Sequence, residues 1–253
     1  MKAKKVYEFR TSGEIVRMGK SEIIESEIDK WLKSLPVTYN EWSYKNEYLF
    51  IRSYQMFWEL KPKHFIGCPV DKLIISTGLQ ITDDENNIGL KLPTEIYVRG
   101  DLSIYNVKNI IKIPKIIRAN NNICIKYSHI TDTKNKLEKL FCSESITIRN
   151  INIDKLPEIY YIESEDEEWN PLNTKECEIT SNKYSKWYVD KELDISNTNI
   201  SYLPEELEVR LNLYIQGTPI TNLNNISVSE VFTDNKELFK KYKNDNRYNF
   251  YLY

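Results

Sequence analysis

A proline frame constrains this chain more than any other feature. Pro93 and Pro114 lie 21 residues apart, and Pro114 and Pro157 lie 43 apart, close to two such steps. Nine residues after a proline comes an apolar-x-apolar triplet: Leu102-Ser103-Ile104 after Pro93, Ile123-Cys124-Ile125 after Pro114, Leu213-Tyr214-Ile215 after Pro204. Two further triplets, Ile146-Thr147-Ile148 and Leu193-Asp194-Ile195, stand eleven residues ahead of Pro157 and Pro204. The wider pattern returns as well. Leu193-x-Ile195-x-x-Thr198-x-Ile200-x-x-Leu203 is matched by Leu213-x-Ile215-x-x-Thr218-x-Ile220-x-x-Leu223 and by Ile146-x-Ile148-x-x-Ile151-x-Ile153-x-x-Leu156.

A triplet of this kind is a short strand with one apolar face, because successive side chains point to opposite sides. One such strand cannot bury that face alone. Copies stacked in register can, as a parallel sheet backed by a continuous Leu/Ile ladder. A period near 21 leaves too few residues for a helix on the return path. Extended or 3₁₀ segments are expected there, with Ile96, Val98, Leu207 and Val209 turned inward.

These residues resemble the repeats of bacterial leucine-rich-repeat proteins of the short, Leu-Pro-containing type, including the loosely patterned versions of phages and mobile elements. The resemblance runs from about Leu73 to Leu223. It departs from the family at the usual asparagine position, which is held by Val107, Ser128, Ile151, Thr198 and Thr218. It implies an α/β, mostly β, parallel solenoid that presents a recognition surface. The expected organisation is an N-terminal α/β cap over 1–64, the solenoid over 65–232 with an acidic insertion at 158–186, and a C-terminal helical cap and tail over 233–253. In the first cap, Val6 to Arg10 and Glu14 to Arg17 suit a hairpin. Ser21 to Ser34 suits a helix with Ile24, Ile28, Trp31, Leu32 and Leu35 on one face and Pro36 as its stop.

Composition narrows the function classes. The formal net charge is -2, so no global basic field draws the chain to nucleic acid or an anionic membrane. No run of about 18 apolar residues occurs, and the N-terminus lacks the apolar stretch of a signal peptide. Cys68, Cys124, Cys142 and Cys177 stand far apart without a C-x-x-C pair, which reads as free thiols of a cytoplasmic protein. Scarce glycine with plentiful Tyr, Ile, Lys and Asn points to a low-GC bacterium or its phage. With only His64 and His129 as histidines, and no phosphate loop or nucleophile elbow, neither a metal, a cofactor nor a catalytic centre is expected.

The expectation is therefore a monomeric, non-enzymatic module that binds another protein. The resemblance narrows that partner to a host defence enzyme or its nucleoprotein complex. Three surfaces compete for the role. Alternation sends Tyr105, Lys126 and Arg149 to the open, concave face of the ladder, with Asp194 and Tyr214 further along. The acidic insertion offers Glu165, Glu167 and Trp169. The aromatic N-terminal segment offers Trp42 and Tyr44. Two alternatives stand beside protein binding. One is contact with nucleic acid or an RNA–protein complex, supported by Lys134, Lys136, Lys139 and by Lys240, Lys241, Lys243, Arg247. The other is an enzyme with an unrecognised site.

Overall fold

The computed structural model describes residues 6–11, 14–83, 88–132, 134, 136–162, 185–223 and 225–253. The chain winds into a parallel β-solenoid of about eight turns with a spacing of about 21 residues. One full coil shows the plan. Glu95–Val98 lies in a back sheet, and a corner leads to Leu102–Tyr105 in a front sheet. Ile110–Lys112 forms a short third side, and Pro114 turns the chain into the next back strand, Ile116–Ala119. Pro93, Pro114 and Pro157 each stand just ahead of a back strand. A residue with no N–H donor fits there, outside the ladder.

The front sheet has ten strands and the back sheet eight. The return path is thus extended, as expected, and its segments pair into a regular sheet over most of its length. The front register is the one the triplets imply: Leu102 pairs with Leu79 and Ile123, Ile123 with Ile146, Ile146 with Leu193, and Leu193 with Leu213. Their side chains and those of Ile104, Ile125, Ile148, Ile195 and Ile215 are buried in one core. Ile96, Val98, Leu207 and Val209 close it from behind, as their spacing predicts. Toward the C-terminus the two sheets converge. The step from the last inward residue of the back sheet to the first of the front is four residues at Ala119 to Ile123 and at Val209 to Leu213, and falls to three at Val228 to Val231.

The solenoid takes in residues that the proline frame leaves outside it. Tyr48–Arg52 and Phe57–Leu60 form the first rung, paired in parallel with Lys72–Ile75 and Gly78–Thr82. Leu49, Ile51, Trp58 and Leu60 supply its inward side chains. The aromatic density of this segment hides an ordinary alternation. At the other boundary, Glu158–Tyr161 continues the back sheet beside Lys139–Cys142, although the sequence reading places it in the insertion.

The five middle front strands, from Leu102–Tyr105 to Glu208–Tyr214, leave the sheet through a residue with positive φ: Asn106 at 57°, Tyr127 at 52°, Asn150 at 52°, Asn197 at 55° and Gly217 at 63°. This left-handed turn aims the residue's N–H at the next rung. The amides of Asn106, Tyr127, Asn150 and Asn197 donate to Lys126 O, Arg149 O, Ser196 O and Gln216 O at 2.7–3.1 Å. Asparagine and glycine tolerate the conformation and most residues do not. The asparagines of this repeat therefore serve the turn. One position later, where the resemblance expects an asparagine ladder, Val107 and Ile151 are simply buried. Ser128 Oγ accepts from Val107 N and donates to Lys126 O, while Thr198 and Thr218 donate to Ile195 O and Ile215 O.

Both ends are closed. The helix Lys20–Ser34, entered from the hairpin Val6–Thr11 and Glu14–Gly19, buries Ile28, Trp31 and Leu32 in the core, with Leu35 just beyond its end. Trp31 Nε1 donates to His64 O at 2.9 Å. The back sheet begins with the antiparallel strand Glu41–Lys45. At the far end Asn235 caps the helix Lys236–Tyr242, accepting from the amides of Glu237 and Leu238, and Leu238 and Tyr242 cover the core. The tyrosine-rich tail is not loose: Asn249–Leu252 adds a further parallel strand to the front sheet.

Two stability predictions follow from this ladder and its turns, both read by urea unfolding. Leu193→Ala, which opens a cavity flanked by Ile146 and Leu213, should cost about 2–5 kcal/mol. Asn150→Val should cost about 1–2 kcal/mol while Asn150→Gly stays near neutral, because only the valine opposes the left-handed turn.

Candidate binding face

The outward side chains of the front sheet stand in three columns. The leading column is structural. Asp101 Oδ1 accepts from both the amide and Nδ2 of Asn122, and Asn122 Oδ1 accepts from Ser145 N. Further on, Asn212 Nδ2 donates to Glu192 Oε1 at 2.8 Å. Each rung's side chain thus satisfies donors of the rung beyond, and these groups are engaged with the fold.

The other two columns meet at the middle of the sheet. Tyr105, Lys126 and Arg149 are consecutive in register on adjacent strands. Lys126 Nζ lies 5.3 Å from the centroid of the Tyr105 ring. Tyr127, 44% exposed, meets Tyr105 edge to face with centroids 5.6 Å apart. Arg149 Nη1 is 3.7 Å from Asp194 Oδ2, and Asp194 Oδ1 accepts from Ser196 N at 2.9 Å. Arg149 Nε is buried without a hydrogen-bond partner. Four of the residues proposed from sequence, Tyr105, Lys126, Arg149 and Asp194, are therefore neighbours.

Tyr214 pairs with Asp194 on the next rung and opens a second feature. Its ring stacks on Phe232 at 4.6 Å and 14°, and Phe232 stacks on Tyr251 at 4.8 Å and 12°. Parallel strands place like residues one ladder step apart, close to the spacing of stacked rings. Tyr251 is 41% exposed, and its hydroxyl reaches Glu230.

The remaining candidates do not join this cluster. Trp42 and Tyr44 lie on the first strand of the back sheet, opposite Ile51 and Leu49, and pack half-buried against the core. Glu165, Glu167 and Trp169 lie outside the described residues. The basic stretches are partly compensated: Lys136 faces Asp154 at 4.0 Å, Lys240 pairs with Glu237, and Arg247 with Asp245. A cleft of about 710 Å³ beside Pro157 is lined by Ile130, Leu137, Ile153 and Leu156 together with charges of both signs. His64 is structural, its Nδ1 accepting from Lys61 N. Among the described residues no group of three or more His, Cys, Asp or Glu is placed to hold a metal ion.

Sequence reasoning missed Tyr127, Phe232 and Tyr251. Tyr127 is legible only once the left-handed column is known, since four of that column's five members are Asn or Gly. Phe232 and Tyr251 follow spacings of 18 and 19 from the rung before, which fall off the 21-residue frame. No family model, no curated protein and no solved structure matches this chain.

The cysteines Cys68, Cys124 and Cys142 are free thiols. Burial pushes Cys142 up to about 12 and Cys68 up to about 11. Burial also raises Cys124, with Lys126 opposing the shift. The thiolate is the reacting form. At pH 8, iodoacetamide should label Cys124 ahead of Cys68 and Cys142, as followed by mass spectrometry of the native protein. Equal labelling of Cys142 would show that the back sheet opens readily.

Proposed function

We propose that this chain is a non-enzymatic protein-binding module and that the middle of its front sheet is the binding surface. The observation that carries the reading is the cluster of Tyr105, Tyr127, Lys126 and Arg149. These residues stand outward on a ladder whose burial and hydrogen bonding use their backbones but not their side chains. Tyr and Arg are the residue types that most often dominate binding energy at interfaces. Tyr127 also holds a conformation that tyrosine rarely adopts, and strain of this kind tends to collect at functional positions.

A narrower reading makes the module an inhibitor, produced by a phage or mobile element, of a host defence enzyme or its nucleoprotein complex. It rests on the Leu-Pro repeat resemblance and the low-GC composition. Contact with nucleic acid is the second reading. It is weakened by the acidic partners of several of the lysines and arginines that suggested it. Catalysis by Cys124 is disfavoured because burial raises its thiol, whereas a thiol nucleophile needs the opposite shift. No helix among the described residues is long and apolar enough to cross a membrane.

The triple change Tyr105→Ala, Lys126→Ala and Arg149→Ala should leave the thermal midpoint nearly unchanged. It should weaken capture of the partner from host lysate about tenfold or more, in a manner insensitive to nuclease. Retention of binding by that variant, with loss on deleting residues 163–169 or on changing Trp42 and Tyr44, would transfer the function to the insertion or the aromatic cap.

A further inference from the structure

Charge is distributed differently on the two sheets. On the back sheet, in-register neighbours alternate in sign. Lys72 pairs with Glu95 and its Nζ lies 3.2 Å from Glu95 Oε1. Lys139 stands beside Glu158, which also binds Lys186 at 2.9 Å. On the front sheet Lys126 stands in register beside Arg149, cation next to cation, on strands about 4.8 Å apart. Like charges directly opposite each other are unfavourable. Lys126 has no carboxylate within 4.0 Å among the described residues, and its ammonium rests over Tyr105 instead. Arg149 has one acidic neighbour, Asp194, at 3.7 Å, and that carboxylate is already held by Ser196 N. The buried Arg149 Nε has no hydrogen-bond partner among the described residues.

We propose that Lys126 and Arg149 form a carboxylate-binding site, which receives one Asp or Glu side chain of the protein partner beside the edge-to-face pair of Tyr105 and Tyr127. The inference rests on the front sheet being the partner surface and adds the chemistry of what it binds. A carboxylate supplies what both cations lack: a counter-charge for Lys126 and an acceptor near Arg149 Nε. Charge-assisted hydrogen bonds of this type are the strong ones. The surroundings favour a single acidic side chain over a polyanion. Asp101, Asp194 and Glu192 lie on the same face, within two rungs of the pair, and would repel the successive phosphates of a nucleic acid.

The test follows the Arg149 Nε–Hε resonance of the full-length protein by NMR, assigned by its disappearance in Arg149→Lys. The probes are the peptide acetyl-Gly-Leu-Glu-Leu-Gly-amide, its glutamine counterpart, and a short DNA duplex, at matched ionic strength. The glutamate peptide should shift the resonance saturably at millimolar concentration, and the glutamine peptide should not. Lys126→Gln should weaken the glutamate response about tenfold. A resonance that ignores the glutamate peptide, or follows both peptides alike, overturns the carboxylate site. A resonance that responds to duplex DNA at lower concentration than to the peptide overturns it in favour of phosphate. A failure here, with partner capture still lost in the triple alanine variant, removes only the carboxylate assignment. Capture that survives the triple change removes the front-face reading itself.

Discussion

A strand of three or four residues cannot bury its own apolar face, and this molecule is arranged around that limit. Leu102 and Ile104 are covered only because Leu79 and Ile81 lie on one side and Ile123 and Ile125 on the other. Each rung's core is thus made by its neighbours, and the stack has a problem only at its two ends. The N-terminal helix solves it with Trp31 and Leu32, the C-terminal helix with Leu238 and Tyr242. The edge strand of the back sheet is likewise protected by an antiparallel partner at each end, Glu41–Lys45 and Ser185–Lys186, rather than left as a parallel template.

Register in such a stack cannot drift. A slip by one residue would turn every Leu and Ile outward, and the polar groups reinforce the same alignment. Asp101, Asn122 and Ser145 are linked side chain to amide along one flank of the front strands. The left-handed turns at Asn106, Asn150 and Asn197 bond along the other. On the third side, the amide group of Asn152 accepts from Ile130 N and donates to Ile130 O, both at 2.8 Å, tying one coil to the next. With both flanks of each strand engaged, the side chains at the middle of the front face are the ones least committed to the fold. The surface proposed for binding is argued by elimination as much as by its residue types.

The repeating core was legible because its signal is periodic. Apolar alternation within each triplet and a fixed step between triplets need no knowledge of the three-dimensional path. The same is true of the two capping helices, whose apolar faces recur at helical spacing and whose ends carry Pro36 and Asn235. What escaped was whatever departs from the period. The first rung was hidden because Tyr48, Phe50 and Trp58 read as an aromatic patch and no proline stands just ahead of Tyr48. The last rungs were hidden because they shorten, with spacings of 18 and 19 and a corner of three residues in place of four, so Val231 and Phe250 fall off the frame. The left-handed column escaped for another reason: positive φ is a property of the path, and Tyr127 is a residue whose type argues against it.

The candidate site shows how a repeat architecture makes specificity cheap in positions and strict in geometry. Side chains on neighbouring rungs stand one strand spacing apart whatever they are, so any pair of residue types can be placed side by side without altering the core. Where the fold alone sets the choice, the pair is complementary, as with Lys72 and Glu95, or stacks, as with Tyr214 and Phe232. Lys126 beside Arg149 is neither, and Tyr127 in the adjoining turn runs against local backbone preference as well. Two independent departures, one electrostatic and one conformational, fall within a single rung of each other. Stability explains neither of them, whereas the proposed acidic group, bound by the two cations beside the tyrosine pair, gives both a role.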